Sequence, residues 1–356
     1  MQIKDRLKKL RHKIEEYGLE AILISQAENR YYLSGFHGSA GYLLITTETA
    51  TLATDFRYVE QAKEQAPEYY LFQITNNLQE WFPRLLNRFN IHHLGFEASH
   101  ITYSIYQQMI TTINDLAVDL RLIPLNNFVE SLRMVKTSDE ITLISTAAEI
   151  SDQALNYIQD NIYPQATELE IAWMIEKYLH DHGSEAVPFE LIVASGPNAA
   201  MPHARPSERR LQPGEPLVID IGAKVEGYSS DITRTLCVGD PDKTYRQVYN
   251  IVLTAQQAAI DGINEGMTGE EADNIARMVI ERAGYGDVFG HGLGHGIGLA
   301  THELPRLGPQ SKDKLLNGTV FSIEPGIYLP GWGGVRIEDL IVIDNSKLRI
   351  LSKARK

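Results

Sequence analysis

The sequence contains a single cysteine, Cys237, among 356 residues. One cysteine cannot form a disulfide within the chain, and it cannot build a thiolate metal cluster within one subunit. A small secreted protein stabilised by disulfides is therefore excluded. Because thiols persist in reducing compartments, we expect the protein to act in the cytoplasm.

Long hydrophobic runs are also absent from the sequence. No uncharged apolar run approaches the ~20 residues that a membrane-spanning helix needs. Residues 1–11 are densely charged and lack the apolar central region of a secretory signal. We therefore expect neither a membrane partner nor export.

Positive charge is in short supply. Lysine and arginine number 33 against 46 aspartate and glutamate residues, so the formal net charge is −13. Proteins that bind phosphate backbones depend on an excess of basic residues, and we expect no nucleic-acid partner. The 43% hydrophobic and 22% charged residues are typical of a folded globular protein.

The length of the chain predicts two domains, at roughly 150 residues each. The first part has the pattern of an α/β domain: an amphipathic helix ends at Gly18, and short β-rich runs follow at 21–25, 41–46 and 50–54. The segment 124–127, Pro-Leu-Asn-Asn, is the best candidate linker. We therefore predict an N-terminal α/β domain over 1–125 and a second domain over 126–356.

The second domain repeats one pattern twice. Segments with the form of a capping box, which opens a helix, occur at Thr137–Glu140, Thr167–Glu170 and Thr268–Glu271. Helices are predicted over 138–160 and 168–182 in the first half, and over 242–264 and 269–284 in the second. Each pair precedes a β-rich stretch. The pattern predicts an α+β domain with an internal duplication, in which Asp220 and Glu324 occupy matching positions.

Four carboxylates lie in two predicted hairpins. With a turn between residues 225 and 226, the first hairpin places Asp220 opposite Asp231, and the second places Glu324 opposite Glu338. Like charges in direct opposition destabilise a sheet, so these pairs need a compensating cation unless they are exposed strand ends that face each other by accident. Two divalent ions such as Mn²⁺, Co²⁺ or Zn²⁺ would provide it and would suit hydrolysis.

Four histidines occur in distinctive surroundings. His203 follows Pro202, His291 and His295 lie in the glycine-rich segment 290–298, and His302 precedes a glutamate. Glycines beside an imidazole allow backbone and metal to approach closely. A single histidine of this kind is more often structural than a metal ligand. All four, however, occur in the half of the chain that holds the carboxylates, and this joint occurrence favours a shared metal site.

The motifs that contain these residues resemble those of the Xaa-Pro peptidases of the pita-bread metallopeptidase family, which includes aminopeptidase P and proline dipeptidase. The resemblance rests on motifs in the order typical of the family: Asp220–Ala223, Ser230–Thr235, Gly294–Gly298, Ile323–Tyr328 and Val335–Asp339. It implies a creatinase/prolidase-like N-terminal domain and a pita-bread catalytic domain with pseudo-twofold symmetry.

The resemblance also implies two divalent metal ions, with Mn²⁺ expected and Co²⁺ or Zn²⁺ as alternatives. Its implied ligands are Asp220, Asp231, His295, Glu324 and Glu338. We expect a hydroxide bridging the two ions to attack the scissile carbonyl, with Glu324 both as ligand and as acceptor of the proton of the attacking water.

Further residues are assigned by similarity. His203 and His302 stand beside the metals, where one hydrogen-bonds the oxyanion and the other helps to protonate the departing proline nitrogen; which does which stays open. His291 and Phe189 resemble residues of the proline pocket, although Phe189 would also suit plain core packing. Arg336 resembles an arginine that orients the carboxylates.

The peptide bond before proline has no N–H and a fixed φ, so its hydrolysis requires a specialised pocket. We expect a Xaa-Pro aminopeptidase, with a proline dipeptidase as the alternative. A dipeptidase must bind the free carboxylate of proline, for which Arg306 is a candidate unless it is a simple surface residue.

Segments of the N-terminal domain resemble those of short bacterial Xaa-Pro aminopeptidases. In related dimers this domain reaches the partner's site, so we expect a homodimer in which His37 acts in trans. A non-catalytic binding module built on the same fold is a more distant alternative.

Overall fold

The computed structural model describes residues 3–116 and 118–356 and divides into two compact units, Met1–Arg133 and Met134–Lys356. The first unit continues beyond the linker predicted at 124–127. Lys13 Nζ donates a hydrogen bond to the Phe128 carbonyl (2.8 Å), and Arg133 donates to Asn29 Oδ1 (2.7 Å). These contacts hold the segment after residue 125 on the first unit.

The N-terminal unit is an α/β domain. Its helices are α1 (Ile3–Glu16), α2 (Ala27–Ser34), α3 (Val59–Gln65), α4 (Leu78–Leu86), α5 (Tyr103–Leu116) and α6 (Glu130–Arg133). Its strands are β1 (Ala21–Ile24), β2 (Tyr42–Thr46), β3 (Ala50–Thr54), β4 (Tyr70–Gln73), β5 (His93–Glu97) and β6 (Arg121–Leu125). The strands form one mixed sheet in the order β4-β3-β2-β1-β5-β6.

The C-terminal unit contains four long helices, which are α7 (Ser138–Asn161), α8 (Glu168–Asp181), α9 (Lys243–Gly262) and α10 (Gly269–Arg282). The strands of its first half are β7 (Ile192–Ser195), β8 (Pro216–Ile221), β9 (Lys224–Val225), β10 (Tyr228–Ser229) and β11 (Ile232–Cys237). Those of its second half are β12 (Gly294–Gly296), β13 (Glu303–Leu307), β14 (Val320–Ile323), β15 (Gly326–Leu329), β16 (Gly333–Arg336), β17 (Asp339–Asp344) and β18 (Lys347–Ile350).

The two halves of this unit repeat one plan, as predicted. Helices α7 and α8 share an apolar core with the sheet β11-β8-β7, and α9 and α10 share another with the sheet β13-β12-β14-β17-β18. All three predicted capping boxes form, with reciprocal hydrogen bonds at the starts of α7, α8 and α10. The structure thus confirms the expected fold class, an α/β domain followed by a duplicated α+β domain.

One of the two hairpins has the register predicted from the sequence, and the other does not. The second has the predicted register: Gly326 pairs with Arg336 and Ile323 with Asp339, so that Glu324 and Glu338 lie at corresponding positions between these pairs. The first was predicted wrongly, because Asp220 pairs with Thr233.

The first hairpin turns through Glu226 and Gly227, both at positive φ, and not between residues 225 and 226. A two-residue turn of this kind is favoured because its twist matches that of the strands. The resulting shift of two residues moves Asp231 away from direct opposition to Asp220 but keeps both on one face, since strand side chains alternate with period two.

Among the described residues, no helix has both the length and the apolar character needed to cross a bilayer.

Phe321 tests the core of the second half, because it is fully buried in β14, inside the five-stranded sheet. Phe321→Ala should reduce the free energy of unfolding by about 3–5 kcal/mol through lost burial and the cavity left behind. Ile350→Ala, at the sheet edge with 40% exposure, should cost less than about 1 kcal/mol. Denaturant titration of both variants measures the difference, and equal losses would contradict this account of the core.

Candidate metal centre

His295 lies in β12, a three-residue strand between β13 and β14. A side chain on Gly294 would collide with the backbone oxygen of Ser322, and one on Gly296 would collide with that of Leu304. The flanking glycines therefore let β12 approach both neighbouring strands closely. This close packing fixes the position from which the imidazole projects.

The structure brings the predicted ligands together. Asp231, His295 and Glu338 each offer one ligand atom, and these atoms lie within 4.8 Å of one another. His295 Nε2 is 3.6 Å from Asp231 Oδ2 and 3.3 Å from Glu324 Oε1. Asp220 is close enough for its charge to raise the pKa of Asp231.

Neighbouring side chains hold one oxygen of each of three carboxylates. Thr233 Oγ1 donates to Glu338 Oε2 (2.7 Å), and Ser322 Oγ donates to Glu324 Oε1 (3.1 Å). Arg336 Nη2 donates to Asp220 Oδ2 (2.6 Å). The other oxygens of Asp220 and Glu338 are buried and accept no hydrogen bond.

The electrostatics of the cluster call for a cation. Burial, followed by the charges of neighbouring carboxylates, raises the pKa of Asp231 and of Glu338 well above their ordinary values. Burial also raises the pKa of Glu324, against the effects of His291 and Arg336. Four carboxylates close together, two of them buried and two partly buried, are costly unless cations or protons compensate them.

The residues present fit divalent metal ions. Burial lowers the pKa of His295, which favours the neutral imidazole that can coordinate a metal. The two buried oxygens without hydrogen bonds supply further ligand atoms. Several carboxylates with one imidazole suit ions such as Mn²⁺, Co²⁺ or Zn²⁺.

His302 and His203 flank this cluster. The ring of His302 packs on that of His295, with centroids 4.0 Å apart. Burial lowers the pKa of His302, and the neighbouring rings of His295 and, to a smaller extent, His203 lower it further. The loop that carries His203 is tied to the site because Arg336 Nη1 donates to the Pro202 carbonyl (3.3 Å).

A hydrogen-bonded chain connects His291 to the carboxylates. Arg336 Nη1 donates to the Tyr328 hydroxyl (2.9 Å), which leaves the hydroxyl proton for His291 Nε2 at 2.9 Å. His291 Nδ1 is then the protonated nitrogen and donates to the Gly292 carbonyl (2.8 Å). Arg336 thereby orients both Asp220 and, through Tyr328, the ring of His291.

The remaining predicted residues lie in three settings. Phe189 is half-buried against Gly222, where an added Cβ would come within 2.7 Å of its ring. Arg306 is exposed and pairs with His295 in the β12–β13 ladder. His37 belongs to the N-terminal unit, where Gln65 Nε2 lies 2.6 Å from its Nε2. Their functional roles stay predictions.

Sequence reasoning assigned no role to Thr233, Ser322 or Tyr328, although each contacts a predicted site residue. Thr233 lies two residues after Asp231, and Ser322 lies two before Glu324. Because residues two apart on a strand share a face, this spacing was the available signal for both. Tyr328 has no such simple relation to the residue that it orients.

Comparison with known families identifies both units. The model of metallopeptidase family M24 matches residues 142–345, and that of the creatinase/prolidase N-terminal domain matches residues 6–135.

Several solved or curated proteins are similar over nearly the whole chain. A Xaa-Pro dipeptidase structure from Bacillus anthracis is 39% identical, with a TM-score of 0.94, over 100% of this chain and 99% of that one. A Xaa-Pro dipeptidase from Pyrococcus furiosus is 36% identical over 99% of both chains. An X-Pro aminopeptidase structure from Thermotoga maritima is 36% identical, with a TM-score of 0.89, over 98% of both.

Metal addition tests the cluster independently of any activity. Mn²⁺ added to metal-free protein should raise its melting temperature, because a ligand at 100 times its Kd stabilises the native state by about 2.7 kcal/mol. Glu338→Gln should lose most of this shift, since it removes a carboxylate from the cluster. Asp344→Asn, which alters a half-exposed ion pair with Arg349, should keep it. A full shift in Glu338→Gln would show that the metal binds elsewhere.

Proposed function

Because the chain belongs to metallopeptidase family M24, we propose that it is a metal-dependent peptidase that cleaves the bond between an N-terminal residue and proline. The buried cluster of Asp231, His295 and Glu338, with Glu324 3.3 Å from the imidazole, is the observation that carries this proposal. The likeness to Xaa-Pro dipeptidases and to an X-Pro aminopeptidase supports the substrate class.

Two divalent ions, with manganese as the first choice, would be held by Asp220, Asp231, His295, Glu324 and Glu338. Such ions polarise a carbonyl and lower the pKa of bound water, so that water can attack near neutral pH.

The carboxylate of Glu324 accepts the proton of the attacking water. A carboxylate placed beside the attacking water can act as a general base, and Glu324 lies 3.3 Å from the His295 imidazole. Ser322 occupies one of its oxygens with a hydrogen bond and so limits rotation of the carboxylate.

His203 and His302 act on the two atoms where charge develops during hydrolysis, which are the carbonyl oxygen and the proline nitrogen. One donates a hydrogen bond to the oxyanion, and the other helps to deliver a proton to the proline nitrogen, which carries no hydrogen in the peptide bond. Because its pKa is lowered, the His302 ring gives up a proton readily and does not stay charged. The His302 ring packs on that of His295, and His203 lies near enough to His302 to lower its pKa.

His291 and Phe189 form walls of the proline pocket. The Tyr328 hydroxyl fixes the ring of His291, and Phe189 lies over Gly222, which directly follows β8, the strand that carries Asp220. A pocket with fixed aromatic walls suits the rigid pyrrolidine ring. Contact with this ring replaces the backbone hydrogen bond that the proline nitrogen cannot donate.

Arg306 favours dipeptides as substrates. Residues that pair in an antiparallel ladder share a face, so Arg306 leaves the sheet on the same side as His295. Within the part of the chain that the structure describes, its guanidinium has no hydrogen bond or ion pair. An exposed, unpaired arginine beside the site can bind the free carboxylate of a C-terminal proline. Longer Xaa-Pro peptides are the second candidate, supported by the likeness to the aminopeptidase.

The proposal extends to the setting of the enzyme. It acts as a homodimer in a reducing compartment, the cytoplasm, as the resemblance and the single cysteine suggest. No nucleic acid takes part, in keeping with the net charge of −13.

A matched pair of peptides tests the activity. Protein loaded with Mn²⁺ should hydrolyse Xaa-Pro, and cleavage of Xaa-Pro-Yaa-Zaa after its first residue would add aminopeptidase activity. Glu324→Ala should reduce kcat by at least about 10²-fold, because it removes both a ligand and the proton acceptor. Mass spectrometry identifies the products. If neither peptide is cut by metal-loaded protein, a non-catalytic binding role replaces the proposal.

Arg306→Ala tests the recognition of dipeptides. It should raise KM for Xaa-Pro by about tenfold or more through loss of a charge-assisted hydrogen bond. KM for Xaa-Pro-amide, which lacks the carboxylate, should stay unchanged. Arg349→Ala, at a half-exposed arginine paired with Asp344, provides the control. An equal effect on both substrates would assign Arg306 to the surface.

A further inference from the structure

A buried carboxylate outside the metal cluster remains without a role. Glu168 is the first residue of α8 and is fully buried. Burying a charged group is costly unless it is paired or fully hydrogen-bonded. Among the described residues, Glu168 has no cationic partner, so hydrogen bonds alone compensate its charge.

The bonds to Glu168 come from both ends of one loop. At the start of the loop, the backbone N–H and the hydroxyl of Ser195 donate to Oε1 at 2.7 and 2.8 Å. At its end, the backbone N–H and the hydroxyl of Ser207 donate to Oε2 at 3.1 and 2.6 Å. The Asn198 amide bridges both oxygens at 3.2 and 3.1 Å. Glu168 thus closes residues 195–207 into a loop with a fixed base.

This loop carries His203 at an exposed position. Its far side touches the metal centre through the Pro202 carbonyl, which accepts a hydrogen bond from Arg336. The loop is therefore held at its base by Glu168 and near its tip by Arg336. A ring presented on an exposed loop needs such support, because a displacement of about 1 Å can cost about 10²-fold in rate.

The other half of the unit contains a comparable device. Asp273 in α10 accepts from the Leu293 backbone N–H (2.9 Å) and pairs with Arg277, which donates to the His291 carbonyl (2.7 Å). A buried carboxylate on α10 thereby holds the segment that presents His291. Helices α8 and α10 occupy matching positions in the duplication. The first supports the loop of His203, and the second supports the segment of His291.

We propose that Glu168 is a positioning residue that sets the place of His203 by closing the 195–207 loop. The inferred effect on catalysis rests on the proposed function. The inferred effect on the position of the loop rests on the loop geometry alone. Glu168→Gln is the informative change, because it keeps the shape but turns an NH₂ group toward N–H donors that then lose their acceptor.

Hydrogen–deuterium exchange tests the structural part without any need for activity. Glu168→Gln should speed amide exchange in residues 195–207 and leave 289–293 as in the wild type. Asp273→Asn should give the reverse pattern. Glu170→Gln, which alters an exposed capping residue on the same helix, should leave both segments unchanged. Unchanged exchange in 195–207, or faster exchange throughout the unit, would overturn the proposal.

Kinetics on the metal-loaded full chain test the positioning of His203. Glu168→Gln should lower kcat for Xaa-Pro by about 10²-fold with little change in KM. In a His203→Ala background the same change should cost about twofold at most, because its effect passes through that ring. An equal loss in both backgrounds would overturn the proposal. Asp273→Asn should instead raise KM, since His291 is assigned to substrate binding.

A milder variant covers the case in which Glu168→Gln does not fold. Asn198→Ala removes the amide that bridges the two carboxylate oxygens, and it should produce the same exchange pattern and kinetic signature at smaller amplitude. If the wild-type protein hydrolyses no Xaa-Pro peptide, the proposed function fails, and the exchange data still decide whether Glu168 orders the loop.

Discussion

The mutual repulsion of four clustered carboxylates, two of them buried and two partly buried, is the constraint on which the C-terminal unit depends. Burial and neighbouring negative charge raise the pKa of both Asp231 and Glu338, and Arg336 compensates Asp220 alone through a direct ion pair. A fold that placed these groups together without a cationic partner would lose stability. In the proposed function, divalent ions compensate this repulsion, so that the groups that destabilise the fold are the ones that would bind metal.

The duplicated fold is what assembles this cluster. Each half contributes two acidic residues from within or directly beside its own strands, and the two halves meet where Thr233 of the first donates to Glu338 of the second. Arg234 strengthens the junction, because it is almost completely buried, pairs with Asp339 and donates to the Glu338 carbonyl. A site shared between two halves is held from both sides, which limits the movement of its ligands.

Support for the site extends outward in layers of hydrogen bonds. Arg336 contacts Asp220, Tyr328 and the Pro202 carbonyl, and so links a carboxylate, the ring of His291 and the loop of His203. Glu168 holds the base of that loop from the start of α8. Helices and strands thereby fix these groups, while His203 and His302 occupy exposed positions.

The sequence by itself determined the elements and the chemical types of the site. Capping boxes and helical spacing are local signals, so the helices of the C-terminal unit and its duplication could be read directly, whereas the carboxylates were predicted from hairpin patterns and a family resemblance. Only the tertiary structure decided the register of the first hairpin, where a turn at Glu226 and Gly227 pairs Asp220 with Thr233. It also revealed Tyr328 and Glu168, because their partners lie far away in the chain, and local patterns carry no information on such contacts.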